Sequence, residues 1–171
     1  MMTCMIRTVI AVSLFLLIPL GQGCTAAAQY SVADFPFRHT AYDYKVAWKT
    51  GQAGNGTTID GIMKNTRYPD IDQLDLTIFL IGPNQKVRAR TTTIPAPQQS
   101  RRNDVVPFSA KLKDVSLNQG DTLVFELHYR GSEGGGGRSG GGGGVDWHST
   151  FAVDALTGQP REEEKGKTEE W

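Results

Sequence analysis

Period-two alternation of apolar and polar side chains is the feature that most restricts what this chain can become. Tyr42, Tyr44, Val46 and Trp48 share one face of a run whose other face carries Asp43, Lys45 and Ala47. Leu74, Leu76, Ile78 and Leu80 alternate with Asp75, Thr77, Phe79 and Ile81. Phe108, Ala110 and Leu112 alternate with Ser109, Lys111 and Lys113, and Leu123, Phe125, Leu127 and Tyr129 with Val124, Glu126 and His128. In the last run Trp147, Phe151 and Val153 face one way, and His148 and Thr150 the other. A strand places successive side chains on opposite faces, so each run reads as a strand with one face in a core. No stretch carries a 3.6-residue apolar period.

Turn residues separate these runs. Gly51-Gln52-Ala53-Gly54-Asn55-Gly56 precedes a Thr57–Asn65 strand, and Gly82-Pro83-Asn84-Gln85 has hairpin length between Leu74–Ile81 and Lys86–Thr93. Asn118-Gln119-Gly120-Asp121 leads into Thr122–Arg130. About seven strands in one domain spanning 29–157 predict an all-β, immunoglobulin-like, two-sheet antiparallel sandwich. The 171 residues leave room for one such domain and not comfortably for two. Cys4 and Cys24 both precede it, so the sandwich is expected to hold without a disulfide.

The N-terminus reads as an export signal, residues 1–28. Arg7 is followed by the apolar run Val9–Leu20, whose twelve residues rise about 18 Å as a helix, against about 30 Å of hydrocarbon core. Two cleavage readings stand side by side. Cys24 after Gly23 resembles a bacterial lipoprotein site, at which the cysteine is lipidated, and this explains a lone thiol at the mature start. Ala26-Ala27-Ala28 suits ordinary cleavage near Ala28 and a soluble periplasmic or secreted product. Removing residues 1–23 takes away Arg7 alone, so 18 basic residues fall to 17 against 18 acidic ones. A near-neutral chain excludes a basic nucleic-acid surface.

Two segments are expected to lie outside the core. The glycine-rich stretch 131–144 reads as a loop between the last two strands. It does not read as a phosphate cradle, because Val145-Asp146-Trp147 opens a strand where a helix N-terminus is needed. The segment 158–171, with Glu162-Glu163-Glu164 and no aliphatic residue after it, reads as a disordered charged tail.

Ile59-Asp60-Gly61-Ile62-Met63-Lys64-Asn65 resembles the strand with central glycine and terminal asparagine of FxLYD-type domains. These are immunoglobulin-like modules of bacterial exported proteins and lipoproteins. Leu76–Val87 resembles the family's following hairpin, and Leu117-Asn118-Gln119-Gly120-Asp121 with Phe125 its approach to a late strand, so the resemblance covers about 57–130. Leu80-Ile81-Gly82-Pro83 stands where the family has a Tyr-Asp pair. The resemblance implies an exported immunoglobulin-like module and supplies no catalytic residue.

Candidate chemistry is sparse. There is no Gly-x-Ser-x-Gly elbow, and His39 follows Phe35-Pro36-Phe37-Arg38 with no nucleophile beside it, so no catalytic residue and no cofactor is assigned. Closing the glycine loop between Arg130 and Val145 places His128 opposite or diagonal to His148, and Glu126 opposite Thr150. Two imidazoles and a carboxylate on one sheet face form a set that Zn²⁺ or Cu²⁺ can use. Arg88, Arg90, Arg101 and Arg102 form a local basic patch. Phe35, Phe37, Tyr42, Tyr44 and Trp48 cluster early, and Tyr42, Tyr44 and Trp48 share the face of Val46, where core residues belong. The expected function is an exported, lipid-anchored binding or assembly module of the bacterial cell envelope with a protein partner. The alternative is a carbohydrate- or small-ligand-binding sandwich, and exposure of Trp48 and Trp147 separates the two.

Overall fold

The computed structural model describes residues 30–67, 70–132 and 144–161. Alternation becomes eight strands: β1 (Phe37–Thr40), β2 (Tyr44–Ala53), β3 (Gly56–Asn65), β4 (Asp70–Ile81), β5 (Val87–Thr93), β6 (Val105–Leu112), β7 (Thr122–Ser132) and β8 (Val145–Asp154). A short 3₁₀ turn at Val32–Asp34 precedes them. Two antiparallel four-stranded sheets result, ordered β1-β2-β3-β6 and β5-β4-β7-β8. This is the expected two-sheet sandwich with one strand more, because Phe37–Thr40, which shows no alternation of its own, pairs with Lys45–Trp48. No cysteine lies among the described residues.

Aromatic rings hold the sheets together. Trp48 from the first sheet lies 4.9 Å, centroid to centroid, from Phe125 of the second, and Phe125 stacks on Phe151 at 4.8 Å. Phe37 packs against Trp48 from the added strand. Rings of this size bury large apolar areas, and their tilted and stacked contacts add to that burial. Gly61 makes the arrangement fit, because it sits in register between Trp48 and Phe108. A Cβ at that position would come within 2.5 Å of the Phe108 ring and of the Ala47 carbonyl oxygen. Leu74, Leu76, Ile78, Leu80, Leu123, Leu127 and Tyr129 complete the interior, as alternation predicts.

The two outer faces differ. Val32 and Phe35 fold back over Ala47 and Ile62, covering part of the first sheet. The outer face of the second sheet carries Asp75, Thr77, Glu126, His128, His148 and Thr150 in adjacent register rows.

Candidate functional site

Two exposed groups of side chains deserve comparison as sites. On the outer face of the second sheet, β7 and β8 pair so that His128 stands opposite His148 and Glu126 opposite Thr150. Asp75 of β4 extends the row on the other side of His128. The structure therefore brings together the three residues singled out as metal ligands. Its own bonding uses part of the set, since His148 Nε2 lies 2.9 Å from Glu126 Oε1. Among the described residues no group of three or more His, Cys, Asp and Glu side chains is arranged to hold a metal ion. An exposed pair of this kind contributes little to stability.

The second group sits at the end of the sandwich where β1 passes into β2 and β3 into β4. Its foundation is Asn65, fully buried at the end of β3. The Asn65 side-chain amide donates to the Ser100 carbonyl at 3.1 Å, and its Oδ1 accepts from the Arg67 amide at 2.8 Å. Its backbone N–H donates to the Asp104 carbonyl, and its carbonyl accepts from the Asn103 amide. Ser100 in turn exchanges backbone bonds with Ile71 at the start of β4. One short polar side chain thus fixes both connections that meet here, as a buried amide must if its donors and acceptors are to be paired. Thr66 adds the third connection: its hydroxyl donates to the Tyr42 carbonyl and its amide to the Asp43 carbonyl.

Arg67 projects from this frame. Its Nε lies 2.5 Å from the nearly buried carboxylate of Asp43. Its guanidinium carbon lies 4.0 Å from the centroid of Trp147 and 5.1 Å from that of Tyr42. Tyr42 belongs to the turn before the first sheet's β2 and Trp147 to β8 of the second, so the cation bridges the sheets. Cation–π contacts of this kind are worth about 0.5–2 kcal/mol each. Burial is the first influence on Asp43 and raises its pKa, with Arg67 opposing the shift. Both rings remain accessible, Tyr42 at 85% and Trp147 at 37% relative exposure.

These positions correct the sequence reading at two residues. Tyr42 is not on the core face with Tyr44, Val46 and Trp48, because β2 begins only at Tyr44. Trp147 does not pack inside with Phe151 and Val153. Tyr129 takes the interior place beside it, edge-on to Tyr44 with centroids 5.3 Å apart. Trp48 is buried, as core packing requires.

The basic patch does not persist as a unit. Arg88 pairs with Asp121, and Arg90 lies over the Phe79 ring. Arg101 and Arg102 follow Ser100 at the opposite end of the sheet. His39 is buried and stacks on Phe151 with centroids 3.9 Å apart. Cys24, the export signal at 1–28, most of the glycine-rich segment and the tail beyond Arg161 lie outside the described residues. The first part of that tail belongs to the fold: Gly158, Gln159 and Arg161 are hydrogen-bonded to Asp154 and Ala152 of β8. Sequence reasoning missed Arg67, whose only local signal was the polar run Asn65-Thr66-Arg67, and Asp43, which it placed on the polar face of a strand.

No family model matches the chain, and no curated protein does. Among solved structures it is similar to the crystal structure of the GAE domain of GGA2p from Saccharomyces cerevisiae. The two are 9% identical with a TM-score of 0.38, over 68% of this chain and 96% of that one. Among the described residues no helix is long and apolar enough to cross a membrane.

Proposed function

We propose that the chain is an exported β-sandwich binding module of the bacterial cell envelope, lipid-anchored through Cys24, which presents its Tyr42–Arg67–Trp147 end to a protein partner. The observation that carries this reading is the partly buried guanidinium held by Asp43 between two accessible rings. Trp, Tyr and Arg are the residue types that dominate interface hot spots, and a frame of buried hydrogen bonds presents them in a fixed arrangement. Loop ends of rigid sandwiches are common places for such contacts. The export and lipid anchor rest on the Arg7, Val9–Leu20 and Cys24 pattern. The alternative, a carbohydrate-binding sandwich, is favoured by the exposure of Tyr42, whose ring is free to stack on a sugar face.

Pull-down from envelope extracts tests the main reading. Trp147→Ala should weaken capture of the partner by about tenfold or more while the domain stays folded. Undiminished capture would remove this end from the interface. Release of capture by oligosaccharide, lost in Tyr42→Ala, would favour the alternative. The anchor has a separate test: Cys24→Ala should leave the membrane fraction and lose its fatty-acid label.

A further inference from the structure

Strand alternation buries Tyr44, Val46 and Trp48 of β2 and turns Lys45 and Lys49 to the outer face of the first sheet. The register carries the pattern across. Lys64 of β3 stands opposite Lys45, Lys111 of β6 opposite Thr58, and Arg38 of β1 opposite Ala47. Five cations thus share this face, and Asp60, opposite Lys49, is the one acid in its four strands. Asp60 accepts from the Ser109 hydroxyl at 2.6 Å. Among the described residues Lys49, Lys64 and Lys111 have no carboxylate within ion-pair distance. The outer face of the second sheet mixes both signs, with Asp75, Glu126, Asp146 and Asp154 beside Arg90 and Arg130. The near-zero net charge of the whole chain therefore averages over two unlike faces.

The chain enters the fold over the cationic face. Val32 and Phe35 pack on Ala47 and Ile62 at its middle, bringing Asp34 with them as a second acid. The Arg38 guanidinium donates to the Val32 carbonyl at 3.3 Å, and Lys49 Nζ lies 5.8 Å from the centroid of the Phe35 ring. Val105, opposite Lys64, adds an exposed apolar side chain to the same row, and Tyr30, where the described chain begins, is exposed as well. Cations interspersed with apolar side chains on a broad surface suit a layer of anionic headgroups over acyl chains. Lysine stems lie along apolar surface while their heads reach phosphate. A polyanion in solution would answer the charge but not the apolar Val105 among it.

We propose that this face docks on a membrane of anionic phospholipid, with Arg38, Lys45, Lys49, Lys64 and Lys111 toward the headgroups and the second sheet turned away. The choice of occupant rests on the reading of Cys24 as a lipid anchor. Cys24 precedes Tyr30 by six residues, a length of chain that spans about 20 Å at most. An acyl group there keeps the membrane within reach of the face over which the chain enters. Each Lys or Arg near an anionic surface adds to the attraction, which fades within about 10 Å at moderate salt. Basic patches of this kind supplement acyl chains in holding proteins to membranes.

Vesicle co-sedimentation tests the assignment with the mature chain from residue 24 carrying Cys24→Ala, which retains every described strand and has no acyl group. It should bind vesicles of phosphatidylglycerol and phosphatidylcholine mixed in equal parts, ignore pure phosphatidylcholine, and be released by salt. Lys49→Gln, Lys64→Gln and Lys111→Gln combined should weaken that binding about tenfold or more. Lys86→Gln, Arg90→Gln and Arg130→Gln combined remove the same charge from the second sheet and its hairpin, and should leave binding unchanged. Equal binding to the two kinds of vesicle, or equal loss in the two triple variants, would overturn the proposal. Binding to heparin or duplex DNA with no affinity for anionic vesicles would assign the face to another partner, and would overturn it as well. Because the tested chain has no anchor, these outcomes do not depend on whether Cys24 is acylated in cells; the fatty-acid label decides that separately.

Discussion

The two ends of the sandwich each carry a buried aspartate paired with an arginine, and the two pairs serve opposite purposes. At one end Asp121 is fully buried, accepts from the Asn118 amide and takes Arg88, which also donates to the Ser116 carbonyl. That guanidinium closes on Asp121 and on backbone, and ties β5 to the connection before β7. At the other end Asp43 takes Arg67, but the guanidinium lies, partly buried, between the rings of Tyr42 and Trp147. The same ion pair is a fastener where its hydrogen bonds close on backbone. It becomes a display where aromatic faces take the place of those bonds.

The largest effect should come from the core that both ends share. Phe125→Ala should cost roughly 3–5 kcal/mol by denaturant melting, because the ring touches both Trp48 and Phe151. The two ends should loosen together; amide exchange that frees one end first would show them to be separate units. His128→Ala on the outer face of the same strand should cost less than about 0.5 kcal/mol.

Arg88→Met comes next. It leaves Asp121 buried without its counter-ion, and breaking a pair of this kind typically costs about 3 kcal/mol or more. A loss no greater than that of the matching Arg67 variant would end the distinction between fastener and display.

Arg67→Met should cost less, about 1–2 kcal/mol at pH 7, because Asp43 lies nearer the surface and can be neutralised by a proton. The sign of its pH dependence follows from the raised carboxyl pKa. Such a group contributes stability that is present below its ordinary value near 3.8 and lost as pH rises through the raised value. Without Arg67 to oppose burial, the defect should shrink as pH falls toward 4. A defect independent of pH would place its origin in the lost ring contacts instead.

The smallest effect concerns the turn after β8. Arg161, the strongest influence, together with the Thr157 and Leu156 hydrogen bonds, holds Asp154 down to about 2 against desolvation. Its stabilising contribution is present above the ordinary 3.8 and lost as pH falls through about 2. The Leu156 and Thr157 amide resonances should titrate in that window and stop doing so in Asp154→Asn. The Arg67 end should not follow the same curve.

Alternation along the chain determined the strands, their inward faces and the sandwich class, because side-chain direction in a strand follows from backbone geometry alone. It also placed His128 opposite or diagonal to His148, since a loop closed between two known strands leaves little freedom in register, and the structure has them opposite. The short strand at Phe37–Thr40 was illegible, because four residues with mixed burial carry too little pattern. Tyr42 and Trp147 were misplaced for a different reason: alternation says which way a side chain would point, not where the opposing sheet ends. The site around Arg67 was decided only by tertiary structure. Its residues come from two connections that Asn65 and Thr66 fix by hydrogen bonds and from β8, and no local period records which segments meet when two sheets stack.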